Sequence, residues 1–283
     1  TRKTAKAAGA AEGVNTLASY LKSDVDLNIP VSKVKQEKTF AVIIANENYQ
    51  EEVNVEFALN DGMAFREYCV KLLGIPESNL HVRKDATLNN MLAEINWMQN
   101  IAKAYGAEAR FIFYYAGHGM PDESNGTSYL LPVDGKSNIL ATGYSMSRLY
   151  AELNGLNAAC VTVLMDACFS GSKRGEGMLA SARGVALKAK AEAPKGNMLV
   201  MTAAQGSETA YPYKEKKHGL FTYFLLKKLQ ESKGKVTYGD LFDYVKTNVA
   251  QKSVVVNEKS QTPTIAVSGD LVSTWQGIRL NED

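Results

Sequence analysis

Cysteine is scarce in these 283 residues: Cys69, Cys160 and Cys168 are the only three. An odd, small number without C-x-x-C spacing excludes a disulfide framework and the common structural zinc sites. Histidine is equally scarce, at His81, His118 and His218, so chemistry that needs an imidazole has few places to sit. Long apolar runs are missing as well. None approaches the roughly 18 residues of a membrane span, and the opening TRKTAKAAGAAEG has no apolar signal-peptide core. That opening also lacks an initiating Met, so the expectation is a soluble protein, either cytoplasmic or exported with its signal removed. Neither sign of charge is in excess: 32 basic and 30 acidic side chains leave a formal net charge of +2. No global field recruits nucleic acid or an anionic membrane, and partners must be argued from sites.

What is present suits one sizeable α/β core, with 45% hydrophobic and 22% charged residues. Residues 1–38 are Ala- and Lys-rich, then polar around Pro30, and read as an N-terminal extension, a linker or surface strap. Residues 39–283 read as one domain. TFAVIIANE, from Thr39, has the length and β-branched content of a strand buried on both faces. NDGMAFREYCVKLLG then sets Met63, Phe65, Tyr68, Cys69, Leu72 and Leu73 along one helical side and closes on Gly74. NLHVRKDA, ARFIFYYAGHG, YLLPVD (129–134), CVTVLMDACFSG, NMLVMTAAQ and TPTIAV supply further strands. Helices capped by Thr87 and Thr237, together with SMSRLYAELNGL and LFTYFLLKKLQES, fall between them. Such alternation predicts a mostly parallel sheet sandwiched by helices, a three-layer α/β/α fold.

In open parallel sheets, sites form beyond the carboxyl ends of strands. Two strand tips carry chemistry here. YYAGHG delivers His118 between Gly117 and Gly119, and DACFSG delivers Cys168. If these strands are neighbours, imidazole and thiol meet. A thiol with a reference pKa of about 8.5 is only a few per cent thiolate near pH 7, so it gains from an adjacent imidazole. The same imidazole can then protonate a leaving amine. The two glycines let a substrate backbone approach, and the N–H groups of Gly119 and Cys168 can form an oxyanion hole. Cys69 and Cys160 read as buried small apolar residues, and His81 and His218 as structural or solvated.

YYAGHG at 114–119 and DACFSG at 166–171 resemble the motifs of caspase-like cysteine peptidases, specifically the metacaspase-like bacterial branch, with a His about 50 residues before the Cys. FALNDG at 57–62, MTAAQGSETAY at 201–211 and HGLFTYFLL at 218–226 extend the likeness from about Phe40 to Val267. It implies a caspase–haemoglobinase fold and carries His118 and Cys168 over as a catalytic dyad. True caspases have Gln two residues before the Cys and a pocket of arginines for Asp; this chain has Asp166 there and Phe169 after the Cys. Metacaspase-like enzymes use the matching Asp, together with the Asp of an ND dipeptide, to bind Lys or Arg. The resemblance therefore implies a basic-residue pocket containing Asp166 and Asp61, and peptide or protein substrates with Lys or Arg before the scissile bond. Asp61 also has a plainer reading as a first-turn acid of its own helix.

Glu208, Thr209 and Tyr211 match a segment that lines substrate pockets in the family. The stretch 172–196 reads as a long exposed loop, and family members are often processed between the corresponding strands. It holds Lys173, Arg174, Arg183, Lys188, Lys190 and Lys195, of which Arg183, Lys190 and Lys195 are the autocleavage candidates. Some metacaspases need calcium. Asp134 and Glu176 lie in suitable loops, but the acidic pairs of that site are not recognisable, so no metal site or cofactor is expected. Two other functions are compatible with this reading: a catalytically silent binding module on the same fold, and a transpeptidase working through the same thioester.

Overall fold

Thr39–Ala45 is buried along its whole length, as a strand covered on both faces must be. A computed structural model describes residues 23–122, 124, 126–169, 194–206 and 208–281 and places this strand, β1, deep in a central sheet. The chain continues through α1 (Ala58–Glu67), which runs into a π-helical turn at Tyr68–Leu72, then β2 (Leu80–Lys84), α2 (Leu88–Tyr105) and β3 (Arg110–Ala116). Three short strands follow, β4 (Gly119–Pro121), β5 (Ser128–Leu130) and β6 (Tyr144–Ser145), and then α3 (Met146–Asn154) and β7 (Cys160–Asp166). The last elements are β8 (Met198–Thr202), β9 (Pro212–Tyr213), β10 (His218–Gly219), α4 (Leu220–Glu231), α5 (Tyr238–Asn257) and β11 (Thr264–Val267).

The sheet order is β11-β8-β7-β3-β1-β2. All neighbours pair in parallel except β11, which runs antiparallel to β8 at the edge. Successive strand residues point to opposite faces, and the core divides accordingly. Ala41, Ile43, Ile112, Tyr114 and Leu164 join Phe65, Leu225 and Val245 of α1, α4 and α5. Phe40, Val42, Ile44, Phe113 and Val163 join Met91, Ile95 and Leu149 of α2 and α3. This is the expected three-layer fold.

Local chemistry sets the boundaries. Thr87 Oγ1 accepts from Asn90 N at 3.2 Å and Asn90 Oδ1 accepts from Thr87 N at 3.1 Å, closing a reciprocal cap on α2. Thr237 Oγ1 caps α5 by accepting from Asp240 N at 3.2 Å. Gly74 takes φ +71° where a Cβ would fall 2.0 Å from the Val34 carbonyl oxygen, so both backbone and neighbour require glycine. The strand expected over 129–134 is shorter, ending at Leu130. Pro132 has no N–H for a ladder, and the flanking amides go elsewhere: Leu131 N donates to His118 O and Val133 N to Ala86 O.

The segment before β1 packs onto the domain as a strap. Val25 is fully buried, and Tyr68 Oη donates to its carbonyl at 2.7 Å. Asp24 pairs with Lys216 and Lys227 at 2.8 Å each, which hold its carboxyl well below the usual range against the opposing effect of burial. The possible helix near Leu17–Leu21 lies outside the described residues. No helix among the described residues is long and apolar enough to cross a membrane.

Candidate active site

The parallel register of β3 and β7 pairs Ala116 with Asp166. Gly117 N donates to the Asp166 carbonyl at 3.3 Å, which holds the two strand ends together. His118 and Cys168 each stand two residues beyond that matched pair, and both are buried. His118 and Cys168 thus follow the ends of neighbouring strands at the carboxyl edge of the sheet. Phe169 lies against Gly119, where a Cβ would come within 2.5 Å of its ring and 2.6 Å of the Cys168 carbonyl oxygen. A Cβ at Gly117 would fall 2.7 Å from the Tyr49 hydroxyl and 2.8 Å from that of Tyr115. Both glycines are therefore called for by close packing at the strand tips.

His118 is held from several directions. Its N–H donates to Tyr49 Oη at 2.7 Å, its carbonyl accepts from Tyr115 Oη at 2.7 Å, and its ring lies 4.7 Å from that of Tyr49. Burial pushes both tyrosine hydroxyls up, keeping them protonated. The His118 Nε2 lies 2.8 Å from the Val53 carbonyl oxygen. A carbonyl only accepts, so Nε2 carries the hydrogen, and in the neutral ring Nδ1 is the basic nitrogen. Neither Tyr49 nor Val53 stands out in the sequence: both arrive from the loop after β1, with no local pattern to mark them.

Asp166 and Asp61, the two acids expected in a pocket, both meet the start of α4. Asp166 Oδ2 accepts from Thr222 N at 3.2 Å and from Thr222 Oγ1 at 2.7 Å. Tyr114 Oη in turn lies 2.7 Å from Thr222 Oγ1. Asp61 accepts from Gly219 N at 3.0 and 3.2 Å and from His218 Nδ1 at 2.8 Å. Carboxylates at a helix N-terminus are favoured by its unsatisfied N–H groups and its dipole. Asp61 does this for α4 although it belongs to α1, a use its own helix position does not reveal.

His218 is buried, with Nε2 3.2 Å from Asp26 Oδ1. Burial opposes its charge, but hydrogen bonds and attraction from Asp26 and Asp61 outweigh this and push its pKa up to about 9. A raised folded-state pKa adds stability that is fully present below the unfolded value, about 6.5, and is lost as pH rises through the folded value. Thermal unfolding of the intact chain between pH 6 and 10 should show a loss on the order of 3 kcal/mol that is absent in His218→Gln. Parallel curves for the two proteins would contradict this assignment.

Glu208 ties its loop to the segment before β11, accepting from Thr262 N, from Thr262 Oγ1 at 3.1 Å and from Gln205 Nε2 at 2.9 Å. Thr209 is buried, and Tyr211 is half-buried with its N–H donating to Gln261 Oε1 at 2.8 Å. Lys195 is exposed just before β8, while Arg183, Lys190 and Glu176 lie outside the described residues. Asp134 accepts from Leu88 N at 3.0 Å at the start of α2. Among the described residues no group of three or more His, Cys, Asp or Glu is placed to hold a metal. A cavity of about 370 Å³, lined by Asn154, Val161, Lys195, Met198 and Asp270, opens at the amino ends of β7 and β8. It lies at the opposite edge of the sheet from His118 and Cys168.

A family model described as the caspase domain matches residues 38–270. A solved structure of a Geobacter sulfurreducens protein aligns with a TM-score of 0.63 at 18% identity, covering 86% of this chain and 98% of the other. A caspase-1 from Spodoptera frugiperda aligns with a TM-score of 0.58 at 14% identity, covering 86% and 92% respectively. At such identities these likenesses bear on the fold alone. No curated protein sequence gives a significant match.

Proposed function

The chain belongs to the caspase-domain family, whose members include cysteine peptidases, and from that premise we propose a cysteine endopeptidase that cleaves after Lys or Arg. The carrying observation is the Ala116–Asp166 register, which sends His118 and Cys168 off one sheet edge together. His118 Nδ1 takes the Cys168 proton, and the thiolate attacks the substrate carbonyl carbon. The N–H groups of Gly119 and Cys168 receive the developing oxyanion. The imidazolium then gives its proton to the leaving amine as the C–N bond breaks, and water hydrolyses the resulting thioester, with His118 again acting as base. Asp166 of β7 and Asp61 of α1, both hydrogen-bonded at the start of α4, supply the negative charge for a basic side chain.

A panel of fluorogenic peptides that vary only in the residue before the scissile bond tests this, run with calcium and with chelator. The expected result is turnover with Lys and Arg and rejection of Asp. An added amine acceptor, followed by product mass, separates hydrolysis from transpeptidation.

The stretch 172–196 is expected to be cut by the enzyme, with Arg183 as the first site because its small neighbours in SARGVAL fit an extended bound conformation. Lys195 differs from the other two candidates. It precedes β8, which runs parallel to β7, and so lies at the opposite end of a seven-residue strand from Cys168, roughly 20 Å away. A cut there requires a second copy of the enzyme. Fragment masses from active protein and from Cys168→Ala, incubated separately, check the prediction, and an enzyme that stays full-length while turning over peptides would contradict it.

A further inference from the structure

We propose that His218 is a positioning residue for the Asp61 carboxylate and that Asp26 of the strap holds it there, making the strap part of the basic-residue pocket. This rests on the Lys/Arg reading above. The geometry is a linear relay: Asp26 carboxylate, His218 ring, Asp61 carboxylate, with contacts of 3.2 and 3.3 Å on the Nε2 side and 2.8 Å on the Nδ1 side. A carboxylate on each ring nitrogen calls for a donor on each, which is the imidazolium form. The three side chains are at most 2% exposed, so water does not substitute for a missing partner. Gly219 N donates to the same Asp61 carboxylate. Asp61 is thereby fixed in two directions, by a ring and by the amide of Gly219, the residue that caps α4.

Asp26 matters to a pocket that is not its own through its charge. His218 and Asp61 alone would be a neutral pair, leaving Asp166 as the only net charge at the start of α4. With Asp26 the relay carries one net negative charge, and the site keeps the field of two carboxylates towards a Lys or Arg side chain. The strap is anchored independently of this relay. Asp24 holds Lys216 and Lys227 and accepts from Tyr223 Oη, Gln230 Nε2 donates to the Leu27 carbonyl, and Val25 is in the core. Asp26 is thus presented to His218 by contacts that can be altered separately.

The test uses the full chain in three forms: wild type, Asp26→Asn and Asp24→Asn. Each is assayed well below its unfolding temperature on matched peptides with Lys, Arg or Gln before the scissile bond. Cys168 alkylation by iodoacetamide reports the dyad, and the His218 ring nitrogens are followed by NMR against pH. Asp26→Asn should raise KM for Lys and Arg peptides about 10-fold or more, with kcat and alkylation changed less than about 3-fold. Its His218 should lose a ring proton at lower pH than in wild type. Asp24→Asn should lower the unfolding temperature but leave the Lys-to-Gln preference unchanged.

Wild-type preference for Lys and Arg that persists undiminished in Asp26→Asn overturns the positioning role and leaves the pocket standing. Equal loss of preference in both variants also overturns it, because loosening the strap would then be the whole effect. A wild-type His218 that titrates as an ordinary exposed histidine removes the relay, whatever the substrate preference. Wild-type enzyme that cleaves after Gln as well as after Lys refutes the pocket itself and the proposal with it.

Discussion

Cys168→Ala is expected to reduce peptide hydrolysis to the limit of detection, about 10⁴-fold or more, since the other two thiols, Cys69 in the turn after α1 and Cys160 at the amino end of β7, cannot form the thioester there. His118→Ala should lose about 10² to 10⁴-fold, the range of a positioned acid–base group. The same substitution at Cys69 or Cys160 should leave kcat/KM unchanged and cost about 1–2 kcal/mol of stability, because each fills space in the core. Burial pushes the Cys69 thiol well up, so it stays protonated and unreactive. Iodoacetamide labelling followed by peptide mass mapping should therefore find Cys168 first, and more slowly in His118→Ala. Full hydrolysis in Cys168→Ala, or equal labelling of all three thiols in folded protein, would sink the dyad.

The contrast between Cys168 and Cys69 shows what a sequence can disclose. Cys69 sits among Phe65, Leu72 and Leu73 in a helical pattern, and a thiol there behaves as one more apolar side chain. Cys168 ends an apolar strand and is followed by small and polar residues, where a parallel sheet has its reactive edge. The strands were legible because burial on both faces leaves continuous β-branched runs such as TFAVIIA, and the helix starts because Thr87 and Thr237 announce their caps. The supports of the site were not. Val53 reaches His118 across 65 positions and Tyr49 across 69. Asp26 reaches His218 across 192. Contacts of that kind depend on tertiary packing and leave no periodicity. His218 illustrates the gap: a histidine in KEKKHG reads as structural or solvated, and nothing beside it says that two carboxylates enclose it. The strand expected over 129–134 was overextended for a related reason, since apolar Leu130 and Leu131 look alike although Leu131 donates to His118 rather than to a ladder.

Asp166→Asn should cut turnover of Lys and Arg peptides by roughly 100-fold to several thousand-fold, the equivalent of about 3–5 kcal/mol for removing one partner of a buried charge pair. Asparagine is nearly the same shape and retains an oxygen that can accept from Thr222 N and Oγ1, so the α4 cap is largely preserved. The cost to folding should be confined to the lost attraction between the carboxylate and the α4 dipole, about 0.3–1 kcal/mol and at most about 2. This separates two roles for Asp166, the observed partner of Thr222 and the proposed pocket acid. If capping is its whole function, Asp166→Asn should be slightly less stable and nearly as active. If it receives the substrate cation, kcat/KM should collapse while alkylation of Cys168 by the uncharged iodoacetamide stays within a few-fold of wild type. Thr222→Val supplies the converse: it removes the Oγ1 donor that fixes Oδ2 but leaves the charge, so its loss on basic peptides should be smaller than that of Asp166→Asn. Steady-state kinetics on Lys, Arg, Asp and Leu peptides, with unfolding curves for each protein, decide the matter. Efficient cleavage after Asp or Leu by the wild type would refute an acidic pocket, because a buried carboxylate facing an anion or an apolar side chain gains no cation to offset its desolvation.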